Sequence, residues 1–197
     1  MMKKMILFAF MTLMSLGTFA QTAQQVLNKT AKIIGNKGGA SANFSLSSTK
    51  YGSTSGTIAI KGNKFNAHTP QATVGKTQWT YMKNTNEVNV SNPTQAQQMS
   101  MNPYTFINIY KTGYNSSLKN AGSNYEVHLT AQNKKRTVQE LIITINKKTY
   151  VPSVIKMRQG SSWSTIKVSN FRAKNVSNST FVFNSKDFPK AEIVDLR

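Results

Sequence analysis

The chain has no cysteine in its 197 residues. That excludes a disulfide framework, a thiolate metal centre and a cysteine nucleophile. It also excludes a bacterial lipoprotein anchor, which needs a Cys just after the leader. Acidic side chains are nearly as scarce, with six in all at Glu87, Glu126, Glu140, Asp187, Glu192 and Asp195. Three of them crowd the C-terminus, so paired carboxylates for acid–base work are hard to assemble. The only histidines, His68 and His128, lie far apart with no Asp, Glu or Cys at metal-ligand spacing. Glu126 and His128 share a strand face and form the one pair worth examining. The serines of GSTSG, Gly52 to Gly56, lack the spacing and the following helix of a nucleophile elbow. Gly75-Lys76-Thr77 lacks the preceding glycine of a phosphate-binding loop. The expectation is a protein that is not an enzyme and holds no metal or cofactor.

Long apolar runs are missing too, with one exception. MMKKMILFAFMTLMSLGTFA places Lys3 and Lys4 before an apolar stretch and small residues at Thr18 and Ala20. This reads as a signal peptide over 1–20, since the run is shorter than the roughly 20 residues that span a bilayer. Residues 21–197 then form a single exported domain, soluble and unanchored, expected in the periplasm. Without Lys3 and Lys4, 23 basic side chains face 6 acidic ones, a net charge of +17. The lysines are scattered apart from Lys134-Lys135-Arg136 and Lys147-Lys148, which fall where hairpin tips are expected. A solvated basic surface accounts for this pattern, with anionic envelope components as the other partner class and nucleic acid excluded by export.

What the chain does carry is periodicity. Val26, Leu27, Thr30, Ala31 and Ile34 recur at helical spacing and stop at Gly35. From Ala42 the period becomes two: Phe44 and Leu46, then Ile58 and Ile60, then Phe65 and Ala67. TQWTYMK and EVNV, joined by a polar turn, form a hairpin with Trp79 and Tyr81 on one face and Val88 and Val90 on one face. Pro93 and Pro103 open two short mid-chain helices that present Tyr104, Ile107 and Tyr110. Strands resume at YEVHLTAQ and ELIITINKKTYVPSVIKMRQ, then SWSTIKVSNFRAK and the aromatic TFVF, before a polar tail. Short connectors imply an antiparallel meander. The class is α+β, one curved antiparallel sheet whose apolar face is covered by helices.

GTIAIKGNKFNAHT followed by GKTQWTYMKNTNEVNV resembles the most distinctive block of the periplasmic lipoprotein carrier family, LolA: a Gly-led strand, an apolar strand start, G-K-x-x-W-x-Y, a turn and a valine-rich strand. The likeness runs back to the helix before ANFSLSST and forward through YEVHLT to FVFNSKDFPKAEIVDLR. It implies an incomplete antiparallel β-barrel with its concave face covered by the N-terminal helix and the mid-chain helices. The implied function is a carrier that shields the acyl chains of outer-membrane lipoproteins in an apolar cavity between inner and outer membranes. Its partners would be acylated lipoproteins, an inner-membrane lipoprotein-releasing transporter as donor and possible outer-membrane acceptor, with the carrier itself a monomer. The expected wall is Phe44, Leu46, Ile58, Ile60, Phe65, Trp79 and Tyr81 from the sheet, with Phe106 and Ile107 from the cover; Phe65 matches the family's cavity Phe. Two departures stand out: Gly62 and Asn63 replace the family's Arg-Pro, whose Arg bonds a cover helix, and Val74 replaces the Asp before Gly75. A lipid or glycolipid carrier on the same scaffold, or an envelope module that binds protein through a sheet edge, is the alternative.

Overall fold

The computed structural model describes residues 21–49, 52–62, 64–70, 72–74, 77–93, 109–182 and 184–197. It opens with helix α1, Ala23–Ile34. Thr22 caps it in a capping box: its hydroxyl accepts from the Gln25 backbone N–H at 3.2 Å, and the Gln25 side chain accepts from the Thr22 N–H at 3.0 Å. The helix ends at Gly35, whose N–H donates to the Ala31 carbonyl. Gly39 then turns the chain at φ +87°, where a Cβ would strike the Ile60 carbonyl.

Twelve strands follow among the described residues: β1 Ala40–Ser48, β2 Gly52–Lys61, β3 Lys64–His68, β4 Ala72–Val74, β5 Gln78–Met82, β6 Glu87–Ser91, β7 Tyr114–Ala121, β8 Asn124–Ala131, β9 Glu140–Asn146, β10 Pro152–Gln159, β11 Ser162–Ala173 and β12 Glu192–Asp195. They make one sheet in the order β12-β6-β5-β4-β3-β2-β1-β11-β10-β9-β8-β7. The sheet is open, since β12 and β7 end it. Two antiparallel meanders, β1 to β6 and β7 to β11, are joined where β1 pairs β11.

Several expectations change here. The sheet is not antiparallel throughout, because β12 pairs β6 in parallel; the segment read as a polar tail supplies that strand. Thr180, Phe181 and Val182 of TFVF do not form a strand: Ser177 caps a 3-10 turn at Asn178–Phe181, and a second turn spans Ser185–Asp187. The short β4 and the polar YNSSLKNA of β7 lack the alternation that marks a strand, and only pairing reveals them. The expected mid-chain helices, with Phe106 and Ile107, lie outside the described residues, and α1 is the one whole α-helix among those described.

Burial follows the two periods. Ala23, Val26 and Leu27 of α1 join Val127, Leu129, Leu141, Ile143, Ile145 and Met157 in one core cluster, and Ile34 joins Ile60 in a second, with Ala31, Ile58 and Phe171 around it. One short helix thus touches strands from β8 across to β2. A 12-residue helix is about 18 Å long, whereas the six neighbouring strands from β8 to β2 laid flat would span about 24 Å. A sheet that coils around the helix brings both margins within reach of its side chains.

Candidate functional site

Between α1 and the sheet lies a cavity of about 110 Å³. The helix supplies Leu27, Thr30, Ala31 and Ile34. Strands β1 to β3 supply Ala40, Ala42, Phe44, Leu46, Ile58, Ile60 and Ala67, while β9 to β11 add Ile143, Ile155, Ile166, Val168 and Phe171. Cross-strand pairs assemble this wall: Ala42 opposes Ile58, Ile58 opposes Ala67, Leu46 opposes Ile166 and Phe44 opposes Val168. Thr30, Ser41 and Tyr110 bring the few polar groups. Two of these are spoken for. Tyr110 donates its hydroxyl to Asn28 at 2.8 Å, and burial raises its phenol above the ordinary value. Thr30 donates to the Tyr150 carbonyl at 3.0 Å.

That last bond belongs to a clamp on α1. Tyr150, at the β9–β10 hairpin, holds a left-handed φ of +55°, which costs a non-glycine residue free energy. Its hydroxyl receives hydrogen bonds from Gln21 at 3.2 Å and Lys29 at 3.1 Å, and the Lys29 ammonium sits 4.7 Å from its ring centre. The Gln21 bond, then the Lys29 bond, lowers the Tyr150 phenol pKa.

The register separates the sequence-derived wall residues into groups. Phe44, Leu46, Ile58 and Ile60 line the cavity. Phe65 is buried directly opposite Ile60 on the same face but outside the lining. Trp79 and Tyr81 are elsewhere. Register runs Ile58–Ala67–Val74–Gln78, so Gln78 takes the helix face, and Trp79 and Tyr81, one residue out of step, take the opposite face. There they pair with Val90 and Val88. They line a second hollow, a groove of about 900 Å³ roofed by Ser179, Thr180, Asn184 and Phe188 of the C-terminal segment. The Tyr81 and Phe188 rings lie 5.0 Å apart, and the Tyr81 hydroxyl donates to Asn86 at 3.0 Å. The helix residues Leu27, Thr30, Ala31 and Ile34 were legible as a buried stripe but not as a cavity wall; Tyr110 was expected on a mid-chain cover helix, and Phe171 carried no such signal.

On the outer face of β8 to β10, His128 meets Glu140 at 3.3 Å rather than its strand neighbour Glu126. Arg158 Nε donates to Glu140 at 2.8 Å and its Nη2 donates to the same oxygen. Arg158 is the chief cause of a Glu140 pKa below the usual carboxylate value, with His128 adding to it. Among the described residues no three His, Cys, Asp or Glu side chains gather where a metal ion could sit. No helix among them is long and apolar enough to cross a membrane.

A family model described as outer membrane lipoprotein carrier protein LolA matches residues 14–161. The chain belongs to that LolA family. No curated protein matches it. Solved structures resemble this LolA-family chain at low identity. A LolA superfamily protein from Nitrosomonas europaea is 12% identical with a TM-score of 0.44, covering 83% of this chain and 99% of its own. LprF from Mycobacterium bovis is 12% identical with a TM-score of 0.47, covering 79% and 94%. A putative outer membrane lipoprotein-sorting protein domain from Vibrio parahaemolyticus is 10% identical with a TM-score of 0.41, covering 85% and 100%.

At the position where the resemblance implies Arg-Pro, this chain turns at Gly62 with φ +58°. Lys61 just before it donates to the Val176 carbonyl at 2.8 Å, which ties β2 to the C-terminal segment. The bonds to α1 come instead from Tyr150, through Lys29 and Thr30, and from Tyr110, through Asn28.

Proposed function

We propose that this LolA-family protein is a periplasmic carrier that takes the acyl chains of lipoproteins into the cavity between α1 and the sheet. The observation that carries the reading is the cavity wall, which is apolar apart from Thr30, Ser41 and the Tyr110 hydroxyl. An acyl chain in water costs about 0.8 kcal/mol per exposed CH₂, so a tail crossing an aqueous compartment gains from such a host. The cavity as it stands is smaller than an engineered hollow of about 150 Å³ that accepts a benzene. A whole chain therefore requires α1 to move off strands β1 to β3, and the Tyr150 clamp sets the cost of that movement. Leu46, Ile58 and Phe44 would contact the tail, with Phe65 beside them once the cavity widens. An inner-membrane transporter would load the carrier and an outer-membrane acceptor would empty it.

A fluorescent fatty-acyl probe tests the reading. The wild type binds it, and Ile58→Asp, at a half-buried position, loses binding while circular dichroism stays native. Unchanged affinity in that folded variant would remove the cavity from consideration. A lipid or glycolipid cargo is the second reading, favoured by the +17 charge of residues 21–197, which suits anionic headgroups. Mass spectrometry of material co-purified with the protein separates the two: acylated protein supports the first, free lipid the second.

A further inference from the structure

The groove on the outer face is larger than the acyl cavity and chemically unlike it. Trp79, Tyr81 and Phe188 give it aromatic surface, and Asn66, Thr180 and Asn184 give it amide and hydroxyl groups. In a chain with 25 basic residues, none of the described residues that line it is Lys, Arg, Asp or Glu. Phosphate-bearing ligands would find neither a guanidinium nor a lysine ammonium in that lining, only the His68 imidazole. An acyl chain would lie against hydroxyls and amides rather than the apolar wall of the inner cavity. Strand addition is unavailable as well, because the groove opens on a sheet face where backbone groups already pair with neighbouring strands. Side chains alone must recognise the ligand.

We propose that this groove binds an uncharged oligosaccharide. Sugar rings present C–H faces that stack on aromatic rings and hydroxyls that exchange hydrogen bonds with amides, and the lining offers both kinds of group side by side. The roof is tied to the sheet. Asn66 Nδ2 donates to the Thr180 carbonyl at 2.9 Å, and Asn86 Nδ2 donates to the Lys190 carbonyl at 2.6 Å, so the C-terminal segment is held before and after Asn184 and Phe188. Pinning leaves the roof in place before a ligand arrives, which reduces the ordering cost of binding.

The chain has two tryptophans, Trp79 and Trp163, so Trp163→Phe leaves the groove residue as the sole tryptophan reporter. That variant is titrated with maltohexaose, cellohexaose and chitohexaose while Trp79 emission is followed, and the wild type is titrated by calorimetry. The expected result is a saturable response to at least one sugar that is unchanged when an acyl probe fills the inner cavity. Calorimetry should show about a tenfold loss for Trp79→Ala and partial retention for Trp79→Phe. Thr57→Arg, at an exposed position on the groove rim, should weaken binding without touching the fold. Three results would overturn the proposal: no heat and no emission change with any of the three sugars, equal affinity in folded Trp79→Ala and Thr57→Arg, or a sugar response abolished by the acyl probe. Failure here leaves the acyl reading standing, since that reading depends on the opposite face.

Discussion

The two halves of α1 meet the same sheet and pack against it differently. Ala23, Val26 and Leu27 sit on Val127, Leu129, Leu141 and Ile145, among the most completely buried side chains in the protein. One or two turns later, Ala31 and Ile34 face Ala40, Ala42 and Ala67, and a hollow remains. The backbone architecture does not differ between the halves, but side-chain volume does. Where β8 and β9 fill the space under the helix with Leu, Ile and Val, β1 and β3 place Ala at the corresponding layer. Protein interiors close-pack when the volumes allow it. A row of alanines under a helix that is held elsewhere leaves unfilled space, and holding it elsewhere is the task of the packed half and the Tyr150 clamp.

The largest effect should come from removing volume where there is none to spare. Leu141→Ala is expected to destabilise the fold by about 3 kcal/mol, within the range of roughly 2–5 kcal/mol for such truncations. Ile58→Ala, beside the existing hollow, should cost less, since part of its surface already lacks neighbours. Urea denaturation of both variants checks the difference. Equal losses would mean that the two halves are packed alike.

Adding volume makes the converse test. Ala42→Leu should fill the hollow, reduce acyl-probe affinity by about tenfold and change stability by less than about 1.5 kcal/mol. If the probe binds as before, its site is not the space between α1 and β1. A smaller effect is expected at the clamp. Thr30→Val removes the hydroxyl that bonds the Tyr150 carbonyl and should cost about 1 kcal/mol. Because it loosens α1 over the cavity, probe release should quicken while the packed half keeps its hydrogen-exchange protection. Uniform loss of protection along α1 would show that the helix moves as one piece with the core.

How much of this was legible in the sequence depends on whether a pattern is local. The helix could be read because its stripe and its stop at Gly35 lie close together in the chain. The β5–β6 hairpin could be read for the same reason, and its register joins Met82 to Glu87 across the expected turn. Which face Trp79 occupies could not be read, since it depends on pairings that propagate from β2 through β3 and β4, and each strand's alternation is equally compatible with either face. The alanines that leave the hollow were visible as letters, yet an Ala reads the same in a filled layer and an unfilled one. β12 was hidden because four residues rich in charge acquire strand geometry only against β6. The same applies to Glu140, whose partners His128 and Arg158 come from two other strands.

The outer face of the packed half provides the smallest test and a control for the rest. Arg158, and secondarily His128, hold the Glu140 carboxyl below its ordinary pKa of 4.5. A carboxylate with a depressed folded-state value stabilises the protein above its unfolded value, and that contribution disappears as pH falls through the folded value. Glu140 and Arg158 are 24% and 30% exposed, so solvent screening limits the contribution to no more than about 1 kcal/mol. The urea midpoint of Glu140→Gln should therefore lie below that of the wild type at pH 7, and the gap should narrow once the carboxylate is protonated in acid. A gap that persists there would be packing rather than charge. Because Glu140 lies on the face away from α1, acyl-probe affinity should be the same in both proteins at pH 7. Any change would mean that the two faces of the sheet are coupled and that the hollow under Ala31 is not set by local volume alone.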